Sequence, residues 1–115
     1  SGIGNWLLEN GPYVIDQQYS SLHYNEYSWN QFASVLYIDN PGGVGFSTCN
    51  NEQGCPFTDD NTADYNLDSL LYWFQNLFPE FASNHLYLAG YSYGGIYIPL
   101  LVDKIHKHNQ QSETQ

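Results

Sequence analysis

The chain has 115 residues, of which 42% are apolar and 17% aromatic, a composition that fits one small domain with a modest core and disfavours a disordered segment. No stretch approaches the roughly 18 consecutive apolar residues of a membrane span. Two lysines against 12 acidic residues give a net charge of −10, which repels nucleic acids and anionic membranes, so neither is expected as a partner. This acidity fits either an acidic compartment or ordinary solubility.

The first predicted element is a short buried strand, Ala33 to Asp39, an apolar run that ends at a strong turn signal. A loop of about twenty polar and glycine-rich residues follows and carries both cysteines of the chain. Cys49 and Cys55 flank a turn-prone stretch. A local disulfide, two free thiols and pairing with other cysteines all remain open. No further ligands cluster beside them, so we expect no metal ion and no cofactor.

The second predicted element is a helix that Asn61 or Thr62 caps and that Pro79 stops. Apolar residues recur along it at spacings of three and four, which makes one apolar face. The members of this face are Ala63, Leu67, Leu70, Leu71, Phe74, Leu77 and Phe78.

A second short strand, His85 to Ala89, precedes a glycine-rich turn and a helix that reaches about His108, before a polar tail at Asn109–Gln115. Pro99 lies inside this helix and is expected to kink it. The order strand, helix, strand, helix favours a parallel sheet with a right-handed crossover, and the lack of clean alternation in both strands fits a sheet covered on both faces. The predicted buried side of the last helix is Ile98, Leu101, Val102 and Ile105.

The turn between this strand and this helix has the sequence Gly90-Tyr91-Ser92-Tyr93-Gly94, which fits Gly-x-Ser-x-Gly. A strand directly before and a helix directly after are the setting of a nucleophile elbow, which exposes the serine hydroxyl at the sheet edge. The helix N-terminus adds partial positive charge, and the Tyr93 N–H is a natural oxyanion donor. The alternative is an ordinary serine that caps a helix after a glycine turn.

A serine nucleophile needs a base, and the base needs an orienting acid. His106 and His108 lie on the order of 20 Å from Ser92 along the predicted helix, at ~1.5 Å rise per residue. His85 begins the predicted strand that ends at the elbow, so it is expected near the opposite edge of the sheet from Ser92. Distance does not exclude His23, which lies in an early polar loop, but its position before Ser92 does not fit the usual chain order of serine, acid and histidine. We therefore expect the base and the acid outside these 115 residues.

Four segments together match the motif blocks of a known family. They are Glu9-Asn10-Gly11-Pro12, Tyr27-Ser28-Trp29-Asn30, Tyr37 to Ser47 and Gly90 to Pro99. In order and spacing they resemble the blocks Glu-x-Gly-Pro, Ser-Trp-Asn, Pro-x-Gly-x-Gly-Phe-Ser and Gly-Glu-Ser-Tyr-Ala/Gly-Gly-x-Tyr-x-Pro of the serine carboxypeptidases. These are acid-active exopeptidases with an α/β-hydrolase fold.

The resemblance implies an α/β protein, a partial α/β-hydrolase fold with a mostly parallel sheet flanked by helices and a nucleophile elbow between strand and helix. Residues 1–115 would form part of one such domain, incomplete at both ends. The implied activity is removal of C-terminal residues from peptides and proteins through an acyl-enzyme on Ser92. The implied location is lysosomal, vacuolar or secreted.

The resemblance also assigns Glu9 to the network that recognises the substrate's C-terminal carboxylate, although a solvated or capping acid is the alternative. Tyr91 stands where the family usually has a glutamic acid, which binds that carboxylate when protonated. A phenol is neutral throughout the acidic range, so we expect peptide binding that falls less as the pH rises. Changed substrate choice and lost activity are the other outcomes. The rival functions are a family acyltransferase and a catalytically inactive binding protein.

Overall fold

The structure is a computed structural model that describes residues 2–16, 18, 20–50 and 55–113. Contacts within it divide the chain into two compact units, Ser1–Cys55 and Pro56–Gln115. None of the helices in these ranges is long and apolar enough to cross a membrane.

The first unit begins with helical turns and a β-hairpin. Helix α1 spans Gly2–Asn5 and continues into a π-helical turn at Trp6–Asn10. Strands β1 (Tyr13–Ile15) and β2 (Leu22–Tyr24) then pair antiparallel. The rings of Tyr13 and Tyr24, which lie opposite each other in this register, pack edge to face with centroids 6.0 Å apart. Among the described residues, this pair of strands is the only β-sheet.

The loop of this hairpin is held by the carboxylate of Asp16. It accepts hydrogen bonds from the N–H and hydroxyl of Ser20 at 2.9 and 2.8 Å, from the Ser21 hydroxyl at 2.8 Å and from the Gln18 N–H at 3.1 Å. These bonds, the Ser20 N–H foremost, hold the pKa of Asp16 well below its usual range. Because the pKa of Asp16 is lower in the folded state than in the unfolded state, ionised Asp16 stabilises the fold at pH values above the unfolded-state pKa of ~3.9. This stabilisation is lost only as the pH falls below that value, toward the folded-state pKa. The hydrogen bonds of Asp16 therefore still hold the hairpin loop at mildly acidic pH.

The predicted strand at Ala33 to Asp39 is not a strand in the described residues. Its first two residues and Leu36 are exposed, and the remainder is half-buried rather than buried. A strand exists only through hydrogen bonds to a neighbouring strand, and this segment has no such neighbour in the described ranges. Asp39 instead accepts hydrogen bonds from the N–H groups of Ile3 and Phe46, each at 2.9 Å, and so ties α1 to the loop that follows.

That loop turns on two glycines with positive φ, Gly43 at 91° and Gly45 at 56°. A methyl group on Gly45 would overlap the Asp39 carboxylate, so this position needs glycine for both its backbone angle and its space. Further along, Cys49 and Cys55 are joined by a disulfide with Cα atoms 6.2 Å apart. The residues between them include 51–54, which lie outside the described ranges.

The second unit begins with helix α2, Asp59–Tyr72. Thr58 is its N-cap, since the Thr58 hydroxyl accepts from the Asn61 N–H at 3.2 Å while the Asn61 side chain accepts from the Thr58 N–H at 2.8 Å. The prediction that Asn61 or Thr62 caps the helix is therefore wrong, because this reciprocal capping box starts the helix earlier. Asp59 and the next acid then fall in the first turn, where the helix dipole favours negative charge.

Helix α2 leads into a π-helical turn, Trp73–Leu77, and then a 3₁₀ turn, Pro79–Phe81. Stacking of Trp73 against Phe81, with centroids 5.6 Å apart, closes this corner. Leu77 is 53% exposed, contrary to the predicted apolar face. The wider hydrogen-bond spacing of a π-helical turn moves it off the row that α-helical spacing defines.

Helix α3 spans Gly94–Glu113 and packs against α2 around Ala63, Leu70 and Leu101, which are buried. Val102 was also predicted to be buried but is 49% exposed, because it lies about a quarter turn from Leu101 around the helix. The predicted polar tail is helical up to Glu113.

An ion-pair cluster also joins the two helices. Lys104 on α3 lies 2.7 Å from Asp64 and 3.1 Å from Asp60 on α2. The hydrogen bond to Asp64, and then the one to Asp60, raise the pKa of Lys104. The lysine therefore keeps its charge, and because both carboxylates are exposed these ion pairs add only modestly to the packing of α3 on α2.

The predicted strand at His85 to Ala89 also forms no ladder in the described residues. Of its five side chains, Leu88 is half-buried and the others are exposed. The reason is the same as in the first unit, since no neighbouring strand is present within the described ranges to accept and donate its backbone hydrogen bonds. The segment leads directly into the turn before α3.

Candidate active site

Ser92 occupies a strained turn at the start of α3. Its φ is 54°, and it is the one non-glycine residue with a positive φ in the described ranges. Such a backbone conformation costs about 1–3 kcal/mol and persists where its surroundings enforce it. Here the Gly94 N–H donates to the Tyr91 carbonyl at 2.8 Å, and the Gly95 N–H donates to the Ser92 carbonyl at 3.0 Å. The turn leaves Ser92 exposed, two residues before Gly94, the first residue of α3.

Gly90 lets this turn lie close to the helix. A methyl group there would lie 2.6 Å from Cγ1 of Ile98 and 2.9 Å from the carbonyl oxygen of Gly94. The same group on Gly94 would meet no heavy atom within 4 Å in the part of the chain that the structure describes. Of the two glycines of the motif, Gly90 is therefore the one at which close packing leaves no room for a side chain in that part.

The N–H of Tyr93 is free at the same turn. The Tyr93 carbonyl accepts from the N–H groups of Ile96 at 2.9 Å and Tyr97 at 3.3 Å, whereas its own N–H donates to no group in the described residues. Helix α3 starts at the next residue, so the partial positive charge of its N-terminus lies beside this N–H. A serine hydroxyl and an unpaired donor thus adjoin each other, an arrangement that suits attack on a carbonyl and stabilisation of the oxyanion.

The Tyr93 side chain is fixed by a contact that sequence analysis missed. Its hydroxyl donates to both carboxylate oxygens of Asp59, at 3.0 and 3.2 Å, and its ring packs edge-on against Tyr97 with centroids 4.9 Å apart. The hydrogen bond to Asp59, followed by burial, raises the pKa of Tyr93, since both favour the neutral phenol. No local pattern marks this pair, because 34 positions separate its members.

Two of the histidines, His23 and His106, contact side chains away from Ser92. His23 lies 2.9 Å from the Ser21 hydroxyl and 3.8 Å from Asp16, and His106 lies 3.1 Å from Gln110. No hydrogen bond joins a histidine to Ser92 in the part of the chain that the structure describes. Within the described residues, the structure therefore brings an exposed serine hydroxyl and an unpaired backbone N–H together, and no histidine hydrogen-bonds the serine.

Glu9 lies in the first unit, on the π-helical turn after α1, with an exposed carboxylate. Its backbone is held by the buried side chain of Asn25, whose amide donates to the carbonyls of Glu9 at 3.1 Å and Gly11 at 2.9 Å. The hydroxyl of Ser28, also buried, donates to the Asn10 carbonyl at 3.2 Å. Sequence analysis did not single out Asn25 or the contact that Ser28 makes. These two side chains give the Glu9 segment a rigid support.

Tyr91 adjoins Ser92 in the second unit and is 66% exposed. Its carbonyl is used in the turn, whereas its hydroxyl makes no hydrogen bond to the described part of the chain. No group of three or more histidine, cysteine or acidic side chains in these ranges is placed to share a metal ion.

Comparisons with known proteins point to one family. The model of the serine carboxypeptidase family matches residues 1–115. Lysosomal protective protein from Mus musculus is 44% identical over 101 residues, covering 88% of this chain and 21% of its own. Serine carboxypeptidase-like 29 from Arabidopsis thaliana is 42% identical over 106 residues, 91% and 22% of the two chains. Venom serine carboxypeptidase from Apis mellifera is 40% identical over 103 residues, 90% and 22%. The chain thus spans about a fifth of the length of these relatives.

Proposed function

Because the chain belongs to the serine carboxypeptidase family, we propose that the full-length protein is a serine-type carboxypeptidase that removes C-terminal residues from peptides and proteins. The observation that carries the proposal is the turn at Ser92, with its φ of 54° and its exposed position at the start of α3. A generic helix-capping serine has no need of this strained conformation, whereas a nucleophile elbow does.

In the proposed reaction, the Ser92 hydroxyl attacks the carbonyl of the last peptide bond as a base takes its proton. The Tyr93 N–H stabilises the negative oxygen of the tetrahedral intermediate, and the C-terminal amino acid leaves with the proton that the base returns. Water then hydrolyses the acyl-enzyme. We place the base and its orienting acid in residues other than these 115, because no described histidine hydrogen-bonds Ser92.

We also propose that the chain is part of one α/β-hydrolase domain with a mostly parallel sheet. In that domain Ala33 to Asp39 and His85 to Ala89 would be strands paired with neighbours from the remainder of the domain. The exposed apolar side chains of both segments support this, since Leu36 is 43% exposed and Leu86 is 48% exposed. A strand buried in a sheet would remove this apolar surface from water.

We propose that Glu9 and Tyr91 contribute to recognition of the substrate's terminal carboxylate. Among the described residues, neither the carboxylate of Glu9 nor the hydroxyl of Tyr91 has a hydrogen-bond partner, and this is consistent with that role. A phenol donates a hydrogen bond without first taking up a proton, whereas a glutamic acid must be protonated to donate one.

Replacing Tyr91 by glutamate should therefore make peptide binding more dependent on pH. We expect KM of the Tyr91→Glu protein to rise by about tenfold for each pH unit above the pKa of the introduced acid, while KM of the wild type changes little. Steady-state kinetics on one peptide from pH 4 to pH 7 measure both profiles. Identical profiles for the two proteins would contradict this role of Tyr91.

The proposed location is a lysosome, a vacuole or the exterior of the cell. The disulfide between Cys49 and Cys55 supports an oxidising compartment. The names of two relatives, lysosomal protective protein and venom serine carboxypeptidase, agree with these locations.

The proposed activity is tested with two peptides that differ only at the C-terminus. One ends in a free carboxylate and the other in an amide. A carboxypeptidase should release amino acids one at a time from the first peptide and leave the second intact at the same concentration, because its site binds the terminal carboxylate. Mass spectrometry of timed samples follows both substrates.

Internal cleavage of the amidated peptide would contradict the carboxypeptidase assignment. Transfer of an acyl group to an added alcohol, without release of free acid, would favour the family's acyltransferases. An intact first peptide together with an unreactive Ser92 would favour an inactive binding protein.

A further inference from the structure

The side chain of Tyr93 ties the nucleophile turn to the first residue of another helix. Its hydroxyl donates to both carboxylate oxygens of Asp59, at 3.0 and 3.2 Å, and Asp59 begins α2. The Tyr97 ring packs against it from within α3. Of the polar groups of Tyr93, the hydroxyl and the carbonyl are therefore used, and only the N–H is unpaired within the described ranges.

We propose that Asp59 is a positioning residue that holds the oxyanion donor in place through the Tyr93 side chain, an inference that rests on the proposed role of Ser92. The donor N–H belongs to the peptide bond between Ser92 and Tyr93. Fixing the far end of the Tyr93 side chain restricts rotation at its Cα, and so fixes the direction of this N–H. A donor is effective only within about 2.7–3.1 Å of the developing oxyanion.

The hydrogen bond between Tyr93 and Asp59 opposes relaxation of the strained backbone at Ser92. With a φ of 54°, the turn has a higher free energy than an ordinary backbone conformation and would relax where its contacts allow. The two hydrogen bonds within the turn are accepted by the carbonyl oxygens of Tyr91 and Ser92 and do not involve Tyr93. Among the described residues, the hydrogen bond to Asp59 restrains Tyr93 from outside α3.

An aspartate suits this position for two reasons. A hydrogen bond from a phenol to a carboxylate is stronger than one between neutral groups, and the N-terminus of α2 favours the negative charge. The neighbouring acid, Asp60, pairs instead with Lys104 at 3.1 Å and does not contact the turn. The two adjacent carboxylates therefore have separate roles, which makes Asp60 a matched control.

The test uses the full-length protein and the second-order rate constant for reaction of Ser92 with a fluorophosphonate. This reaction needs the nucleophile and the oxyanion donor but no particular substrate, so it is informative even when the protein cleaves no peptide. We expect Asp59→Ala and Tyr93→Phe each to lower the rate constant by about tenfold, less than the 10²- to 10³-fold loss on removal of a donor. The double variant should be no slower than either single one, because both changes break the same hydrogen bond.

Rescue and control variants separate positioning from general damage to the fold. Asp59→Asn keeps an oxygen that accepts from the phenol and should recover most of the wild-type rate, whereas Asp60→Ala should react at the wild-type rate. On a peptide substrate, Asp59→Ala should lower kcat and leave KM within about twofold. A wild-type rate in folded Asp59→Ala, or additive losses in the double variant, would overturn the proposal. If Asp59→Ala does not fold, Tyr93→Phe and Asp59→Asn decide it by the same criteria.

Discussion

Replacing Ser92 by alanine should lower kcat/KM of the full-length protein for a peptide by about 10⁴- to 10⁶-fold, with little change in its stability. The loss is large because nucleophile and base act as one unit, so removing the nucleophile removes almost all of their combined contribution. Alanine also accepts the φ of 54° no better than serine does. The expected loss therefore comes from chemistry and not from relaxation of the turn. Steady-state kinetics and thermal unfolding of the two proteins measure the two effects.

Ser112→Ala is the matched control for this variant. Ser112 lies near the other end of the same helix, where its hydroxyl donates to the His108 carbonyl at 3.1 Å in an exposed position. This change should leave kcat/KM within about twofold of the wild type, since surface substitutions away from a site alter stability by less than about 0.5 kcal/mol. Retention of more than about 1% activity in Ser92→Ala would show that another group is the nucleophile.

The second large effect is expected at Gly90. The added methyl group of Gly90→Ala would lie 2.6 Å from Ile98 and 2.9 Å from the carbonyl oxygen of Gly94, and the second of these contacts is with backbone that has no rotamer to change. Overpacking of this kind costs about 1–3 kcal/mol. Relief of the clash by movement of the turn would also displace Ser92, and a displacement of about 1 Å costs on the order of 10²-fold in rate. Denaturant unfolding and kcat of the full-length variant measure both consequences.

Gly94→Ala is the control for this steric argument. It places the same methyl group four residues along the chain, where no heavy atom of the described residues lies within 4 Å. Alanine in a helix is favoured over glycine by about 0.5–1 kcal/mol, so this variant should be as stable as the wild type or slightly more stable. Equal losses of stability in the two variants would contradict the close approach at Gly90.

The turn at Ser92 could be predicted from the sequence because the residues that form it lie close together along the chain. The glycine at position 90, the serine and the following helix are neighbours along the chain, and Gly-x-Ser-x-Gly specifies one backbone arrangement for them. The positive φ of Ser92 agrees with that arrangement. The N-cap of α2 was missed because Thr58 lies five residues before Ala63, the first apolar residue of the predicted face, whereas Asn61 and Thr62 lie next to it. A capping box depends on side-chain contacts that periodicity does not report.

Contacts between distant parts of the chain were not accessible in this way. Asp59 meets Tyr93 across 34 positions, and Asn25 meets Glu9 across 16, without any local spacing that marks either pair. Polar side chains of this kind are usually solvated, so their roles follow only from the folded arrangement. The two predicted strands form no ladder in the described residues for a related reason, because a strand depends on a partner that the segment itself does not supply.

The central claim, that Ser92 is the nucleophile of a serine carboxypeptidase, is tested most directly by locating the acyl-enzyme residue. The full-length protein is treated with a fluorophosphonate, digested and mapped by mass spectrometry, with release of C-terminal amino acids assayed before and after treatment. We predict one adduct, on Ser92, and loss of peptidase activity in proportion to its formation. An active protein that carries no adduct on Ser92, or that keeps its activity when Ser92 is fully labelled, would contradict the claim.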